Sequence, residues 1–387
     1  LERFLDFHGP DMYPSRRHYF SQKALCAFAS GLSRLPCIPE FSSGSFFWST
    51  PINVEDQRFT TPVCFMHGIK AINFYMIVER ERWYGSPITR EGRKREAYFK
   101  LYEDFHRWFK RTRIHELKKM ASALLVSVRD YQRLALATTL MDPLPPLSPE
   151  LAPAELHCSE ETFGFREPIQ IAQERQWFAL FHGLSAAQVP FDCGNTSQPA
   201  EAWQSYPLLL CPTYEFLDRE VQEKLLAYAR EGGNLVVGPR LPELDAEMKP
   251  CALLHDAFAE PKELAPGEAW FAECGKGKII LLPEPLPKAT ARHRPDKTTQ
   301  LLLALCQTLN IARPFAPEDS HVEAILHADE KGAVLFLANP TAEARTAKLH
   351  AQGKVLVDVQ TEERFSGEVV QIPLPAYRVR ILECVGG

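Results

Sequence analysis

The chain has 387 residues, of which 45% are hydrophobic and 24% charged, enough for two or three domains with their own cores. Its net charge of −5 argues against nucleic acid as the main partner. The ten cysteines include no C-x-x-C pair, which fits neither a zinc cluster nor a small disulfide framework and predicts a reducing cytoplasm. No apolar run approaches the ~20 residues that a membrane span needs. Neither a metal nor a cofactor is expected.

Residues 1–117 predict a repeated order of strand, loop and helix. The predicted strands are 3–7, 35–39 and 71–78, and the predicted helices are 18–30, 57–67 and 95–117. Polar and aromatic residues follow each strand, which is typical of a (β/α) barrel. Three such units cannot close a barrel of eight. We therefore expect either that the first part of the barrel precedes Leu1, which would then not be the natural start, or that the sheet is open.

Residues 118–315 predict an open α/β sheet. The predicted strands are 122–128, 206–212, 234–238 and 278–282, the predicted helices are 168–185, 218–231 and 297–310, and 142–153 is a proline-rich loop. The clearest unit is a parallel βαβ unit, in which Gly232 and Gly233 stop the helix. Residues 316–387 predict a small antiparallel β-sandwich. Its strands are expected at 322–327, 333–338, 345–350, 354–359, 368–373 and 376–382.

The strand at 35–39 leads directly into Glu40, and a loop rich in aromatic residues follows. This loop contains Phe41, Phe46, Phe47 and Trp48. A carboxylate can attack the anomeric carbon of a sugar, and aromatic rings stack on the C–H faces of sugar rings. The pattern therefore indicates an enzyme that acts on carbohydrates. The alternative is that Glu40 is an ordinary solvated residue of a loop.

The domain order and several motifs resemble the β-galactosidases of glycoside hydrolase family 42, with some features of family 35. The matching stretches are His8–Pro14, Ile38–Gly44, Tyr75–Val78 with Trp83–Ile88, and Ser122–Tyr131. The resemblance implies a C-terminal portion that begins late in a TIM barrel, with Glu40 as the nucleophile of a retaining β-galactosidase. In that family the acid/base is a glutamate that follows an asparagine, and we expect it upstream of this chain.

The same resemblance implies a glutamine-amidotransferase-like, flavodoxin-like fold for 118–315, and a homotrimer held together by that domain. It also implies sugar-binding roles for Tyr13, Trp48, Tyr75, Glu79 and Trp83. Three of these residues have alternatives: Tyr13 and Trp48 could each belong to the core, and Glu79 could form a surface ion pair with Arg80 or Arg82.

Two other functions compete with this interpretation. An amidotransferase-like domain could carry a catalytic thiol, but Cys211 and Cys193 lack the glycine-flanked turn of such nucleophiles, so buried or loop thiols are expected. The whole chain could also be a non-catalytic sugar-binding or oligomerisation protein that kept the architecture without the acid.

Overall fold

The structure is a computed structural model that describes residues 9–49, 51–141, 162–287 and 296–386. It forms two compact units: an outer unit of Leu1–Met120 with Arg313–Gly387, and a middle unit of Ala121–Ala312. The division into domains at 1–117, 118–315 and 316–387 stays a prediction. The predicted strand 3–7 and the predicted loop 142–153 lie outside the described residues.

The first part of the outer unit contains short strands and three helices. The strands are β1 (Asp11–Met12), β2 (Cys37–Ser42), β3 (Ser45–Phe46), β4 (Ala71–Tyr75), β5 (Trp83–Tyr84) and β6 (Lys118–Lys119), and the helices are α1 (Tyr19–Leu32), α2 (Val54–Met66) and α3 (Glu96–Thr112). In the described residues, β1, β2 and β4 form a parallel sheet in that order. β1 lies where the sequence predicted only a loop, and α3 ends five residues before its predicted end, where Arg113 adopts a left-handed conformation.

A β-bulge in β2 determines which way Glu40 points. Ile38 pairs with Ile72 of β4 and Phe41 with Phe74. Between these two pairs, β2 therefore has one residue more than β4. Ile38 and Phe41 can therefore both pack into the core beside Met12, Cys26, Cys64 and Ile69. In a regular strand, Glu40 would lie on the same face as Ile38. The extra residue changes this, so Phe41 packs in the core with Ile38 and Glu40 lies on the opposite face.

The middle unit is a doubly wound α/β domain. Its strands are β7 (Ala123–Ser127), β8 (Phe191–Asn195), β9 (Leu208–Thr213), β10 (Asn234–Pro239), β11 (Lys262–Ala265), β12 (Ala269–Cys274) and β13 (Gly277–Leu281), and its helices are α4 (Arg129–Met141), α5 (Ile169–Ala186), α6 (Arg219–Arg230), α7 (Leu253–Ala257) and α8 (Lys297–Thr308). Across the described part of the unit, the sheet order is β11-β12-β13-β10-β9-β7-β8.

The five parallel strands of this sheet confirm the predicted flavodoxin-like fold. Numbered along the unit, they lie in the order 2-1-3-4-5. The sequence did not predict α4 or the antiparallel strands β11 and β12. The unit is closed where its two ends meet, since the Ser122 hydroxyl donates to the Ala312 carbonyl at 2.6 Å.

The last part of the outer unit is the predicted β-sandwich. Its strands are β14 (Glu323–Ala328), β15 (Ala333–Asn339), β16 (Arg345–His350), β17 (Lys354–Asp358), β18 (Arg364–Phe365), β19 (Val369–Leu374) and β20 (Arg378–Gly386). In the described residues, one sheet has the order β18-β17-β20-β15-β14-β6 and the other pairs β16 with β19. Leu335 and Leu337 of the first sheet share a buried core with Leu349 and Ile372 of the second. Through β6, the strands at 313–387 join the first part of the same unit.

Candidate functional site

Glu40 and Asp11 form an acidic pair on one face of the β1-β2-β4 sheet. The two residues are register partners in neighbouring parallel strands. The next pair along these strands, Met12 and Phe41, is buried in the core, so Asp11 and Glu40 lie on the other face. Partial burial and then the charge of Asp11 raise the pKa of Glu40 above its ordinary value, against the opposing effect of Arg80. Asp11 was not predicted as a site residue, although it belongs to the stretch His8–Pro14 that carries the family resemblance.

Trp83 lies beneath the aromatic residues that surround this face. Its ring is 0% exposed, and its indole nitrogen donates to the Ser43 carbonyl at 3.1 Å. The rings of Tyr13, Tyr75 and Phe46 pack against it edge-on, with centroid distances of 6.0, 5.3 and 4.4 Å. Trp83 was predicted to bind the sugar together with Tyr13 and Tyr75, but it is buried beneath their rings. Tyr13 is exposed beside it, which removes the alternative of a core tyrosine.

Trp48 lies at the open end of the aromatic group. Its side chain is 67% exposed and stacks on Phe46, with centroids 4.8 Å apart and an interplanar angle of 9°. Phe47 contacts Trp48 edge-on and is also exposed. Because Phe46 contacts Trp83 as well, a continuous set of rings connects the exposed Trp48 with the buried Trp83.

Glu79 organises the loop after β4. Its carboxylate accepts from the Gly85 amide at 2.7 Å and forms an ion pair with Arg95 at 2.7 Å. Partial burial raises the pKa of Glu79, but these donors outweigh it and hold the pKa below the ordinary value. The ion pair that the sequence suggested is therefore present with a different arginine, Arg95.

Arg80 has a different role from the one expected. Its guanidinium donates to the Tyr75 hydroxyl at 2.8 Å, and its charge opposes the rise in the pKa of Glu40. Arg80 thus belongs to the same face as Tyr75 and Glu40. The sequence suggested Arg80 only as a possible partner of Glu79, because the sequence does not show to which side of the loop each of Arg80 and Arg82 points.

Neither Cys211 nor Cys193 of the middle unit lies where a catalytic thiol would lie. Cys211 lies within β9 rather than on a turn, and burial raises its pKa to about 12. Cys193 is buried within β8. The described residues contain no cluster of three or more histidine, cysteine, aspartate or glutamate side chains that could hold a metal ion. Nor does any helix in this part of the chain have the length and apolar character to cross a bilayer.

The fold of this chain is similar to that of solved glycosidases. The chain superposes on a catalytic mutant of Gan42B, a family 42 β-galactosidase from G. stearothermophilus, with a TM-score of 0.72 and 14% identity over 99% of this chain and 60% of that chain. A β-galactosidase from Bacillus circulans sp. alkalophilus gives a TM-score of 0.68 and 13% identity over 97% and 59%. This chain therefore has the fold of the matching part of these β-galactosidases.

Three shorter matches in sequence are found, one to a family model and two to individual relatives. The family described as GLMA-like, second domain, matches residues 152–268. The exo-β-D-glucosaminidase of Pyrococcus horikoshii is 42% identical over 83 residues, which is 21% of this chain and 11% of the relative. The exo-β-D-glucosaminidase of Thermococcus kodakarensis is 36% identical over 78 residues, 20% and 10% of the two chains. These matches thus span about a tenth of the relatives' length.

Proposed function

We propose that this chain carries the nucleophile of a retaining β-glycosidase, and that the nucleophile is Glu40. The observation that carries the proposal is the bulge in β2, which turns Glu40 out of the core and onto the face that also presents Asp11, Tyr13 and Tyr75. Buried cores do not require such a reorientation, whereas bulges beside active sites commonly re-aim a side chain.

In this mechanism a Glu40 oxygen attacks the anomeric carbon and the bond to the leaving group breaks, giving a glycosyl ester that water then hydrolyses. Tyr13, Tyr75 and Trp48 would contact the sugar. Trp83 and Glu79 would not contact the sugar. Trp83 would support the rings of Tyr13 and Tyr75, and Glu79 would hold the loop after β4 in place.

A retaining enzyme also needs an acid/base carboxyl about 5 Å from the nucleophile. No Asn-Glu pair occurs in this sequence, and the chain spans 60% of the similar β-galactosidase. We therefore propose that the acid/base glutamate belongs to a segment outside these 387 residues. The 387-residue chain alone would then turn over ordinary glycosides poorly, since general acid catalysis contributes typically 10²–10⁴-fold.

The fold favours a β-galactoside as substrate, and a specific observation favours a second candidate, a β-D-glucosaminide. Asp11 and Glu40 place two carboxylates side by side, and such a pair attracts the ammonium group of an amino sugar. The matches in sequence are to exo-β-D-glucosaminidases. Substituting Asp11→Asn should weaken binding of a glucosaminide without affecting a galactoside, which separates the two candidates.

The test uses a fluorinated dinitrophenyl β-glycoside, whose leaving group departs without protonation. The probe should release dinitrophenolate and leave its sugar on Glu40, which mass spectrometry of peptides would locate. Glu40→Gln should remove the label, and Glu81→Gln, an exposed control on the loop after β4, should keep it. Labelling of another carboxylate, or none at all, would contradict the assignment and favour the alternative of a non-catalytic sugar-binding or oligomerisation protein.

A homotrimer formed through the middle unit and a cytoplasmic location complete the proposal. The trimer follows from the resemblance to family 42. The location follows from the ten scattered cysteines, which include no C-x-x-C pair. Neither enters the chemistry at Glu40.

A further inference from the structure

The outer unit contains a cavity of about 400 Å³ whose lining includes none of the residues on the face around Glu40. It lies among α2, α3, β20 and the residues that follow β17. The buried part of its lining is apolar and consists of Pro62, Leu101, Phe105, Trp108, Val359 and Val379. A volume of this size is typical of small-molecule sites. The cavity thus offers a small molecule an apolar floor.

The rest of the lining is polar, and it contains three guanidinium groups but only two carboxylates. Arg58 belongs to α2, Arg107 to α3 and Arg378 to β20. The Glu55 carboxylate accepts from both Arg58 at 3.3 Å and Arg378 at 2.6 Å. The Asp104 carboxylate accepts from Arg107 at 3.1 Å. Each carboxylate of the lining is therefore already bound to arginine, and one guanidinium is in excess.

The acidic side chains next to the cavity are bound by two other arginines, and neither they nor those arginines line it. These ion pairs are those of Arg380 with Asp358 and Glu363, and of Arg111 with Glu362 and Glu383. They leave the three guanidinium groups of the lining to its own two carboxylates.

Most hydrogen-bond donors of this lining have no acceptor among the described residues. Arg58 donates to them only through Nε, and Arg107 only through Nη1. Arg378 donates through both Nη atoms and not through Nε. At the buried floor, the indole nitrogen of Trp108 has no hydrogen-bond partner in this part of the chain. Because its two carboxylates are occupied, the cavity is complementary to a ligand rich in acceptor oxygens.

We propose that this cavity binds a phosphorylated sugar, with its phosphate at Arg58, Arg107 and Arg378 and its ring on the apolar floor. A phosphate monoester has three strong acceptor oxygens, so guanidinium groups from three different elements can each bind one, whereas a carboxylate has only two. The C–H faces of a sugar ring pack on aromatic and apolar surface such as that of Phe105. The ring hydroxyls would meet the exposed Gln360 at the rim. The site does not rest on the glycosidase reaction.

The test is a titration of the full, ¹⁵N-labelled chain with D-glucose 6-phosphate at constant ionic strength. The indole N–H resonance of Trp108, identified with Trp108→Phe, should shift with saturation. Arg58→Gln and Arg107→Gln should each weaken binding about tenfold, the effect of losing one charge-assisted hydrogen bond. The Arg107 side chain is 71% exposed, so its substitution does not threaten folding. The matched control Lys110→Gln removes a positive charge from the same helix α3 outside the lining, and it should bind as the parent does.

Three further ligands test the parts of the proposal, and each should bind at least about tenfold more weakly than D-glucose 6-phosphate. Equal binding of D-glucose would show that the anion is not recognised, equal binding of inorganic phosphate that the ring is not, and equal binding of D-glucuronate that a carboxylate suffices. Any of these results would overturn the proposal, as would the absence of a saturable shift at Trp108 or an equal loss in Lys110→Gln.

Binding should be unchanged in a Glu40→Gln background, which removes the proposed nucleophile. Labelling of Glu40 by the dinitrophenyl probe is scored separately, so either proposal can fail without the other.

Discussion

Single residues of the aromatic group differ sharply in how much the fold depends on them. Trp83 and Trp48 were predicted together as sugar-binding residues, yet one is fully buried and the other is 67% exposed. We expect Trp83→Ala to lower the free energy of unfolding by about 3–5 kcal/mol, because a large buried ring and its hydrogen bond to Ser43 are lost. Urea denaturation of the purified chain measures this.

The matched control for that change is Trp48→Ala. It removes the same side chain from the exposed end of the aromatic group, so the free energy of unfolding should change by no more than about 0.5 kcal/mol. Equal losses in the two variants would show that the burial of Trp83 described here is wrong.

At the level of the elements, a buried ion pair connects α1 with β14. Lys23 Nζ lies 2.6 Å from Glu323 Oε2, and both side chains are about 95% buried, with 4% and 5% exposed. Lys23→Met should destabilise the outer unit by about 3–5 kcal/mol, because it leaves the Glu323 carboxylate buried without its charge partner. The double variant Lys23→Met with Glu323→Gln should recover much of that loss in the same denaturation experiment. A double variant no more stable than the single one would show that the pair itself contributes the stability.

Two buried histidines make the outer unit sensitive to acid. His67 contacts the Tyr19 hydroxyl at 3.1 Å, and His327 contacts the Met66 carbonyl at 2.9 Å. Burial lowers the pKa of both well below the ordinary value of 6.5, and neighbouring lysines (Lys23 and Lys119 for His67, Lys70 and Lys119 for His327) lower it further.

The sign of the effect on stability follows from proton binding. Below pH 6.5 the unfolded chain takes up protons at these histidines while the folded chain does not, so the free energy of unfolding falls as the pH falls. The urea midpoint should decrease from pH 7.5 to 5.5, and His327→Gln should reduce that decrease relative to the exposed control His350→Gln. A midpoint that is constant over this interval would contradict the account.

Sequence patterns predicted the elements far better than the directions of single side chains. The alternating apolar pattern identified the strands of the sandwich, because each strand is buried on one face. The βαβ unit with its glycine pair likewise identified β9, α6 and β10. The bulge in β2 could not be predicted, because it is defined by pairing with β4, a strand some thirty residues away. For the same reason the sequence could not show that Glu79 pairs with Arg95 and not with Arg80.

At the scale of the whole molecule, self-association is predicted to reside in the middle unit. Residues 118–315 expressed alone should give a discrete trimer by light scattering, as the resemblance to family 42 implies. This segment includes Ser122 and Ala312, whose hydrogen bond closes the unit. Should the segment remain a monomer while the full chain forms particles without a fixed size, the cause would be exposed strand edges rather than a specific interface.

The closure of the middle unit also bears on the order in which the chain can fold during synthesis. Everything from Ala121 to Ala312 leaves the ribosome before the last strands of the outer unit are made, and domains generally fold as units while synthesis proceeds. The middle unit can therefore be complete while β6 still lacks its partner β14 and Lys23 still lacks Glu323. Until Arg313–Gly387 emerge, the nascent protein carries a folded middle unit and an outer unit that still lacks β14 to β20, and the outer unit is where molecular chaperones would be expected to bind.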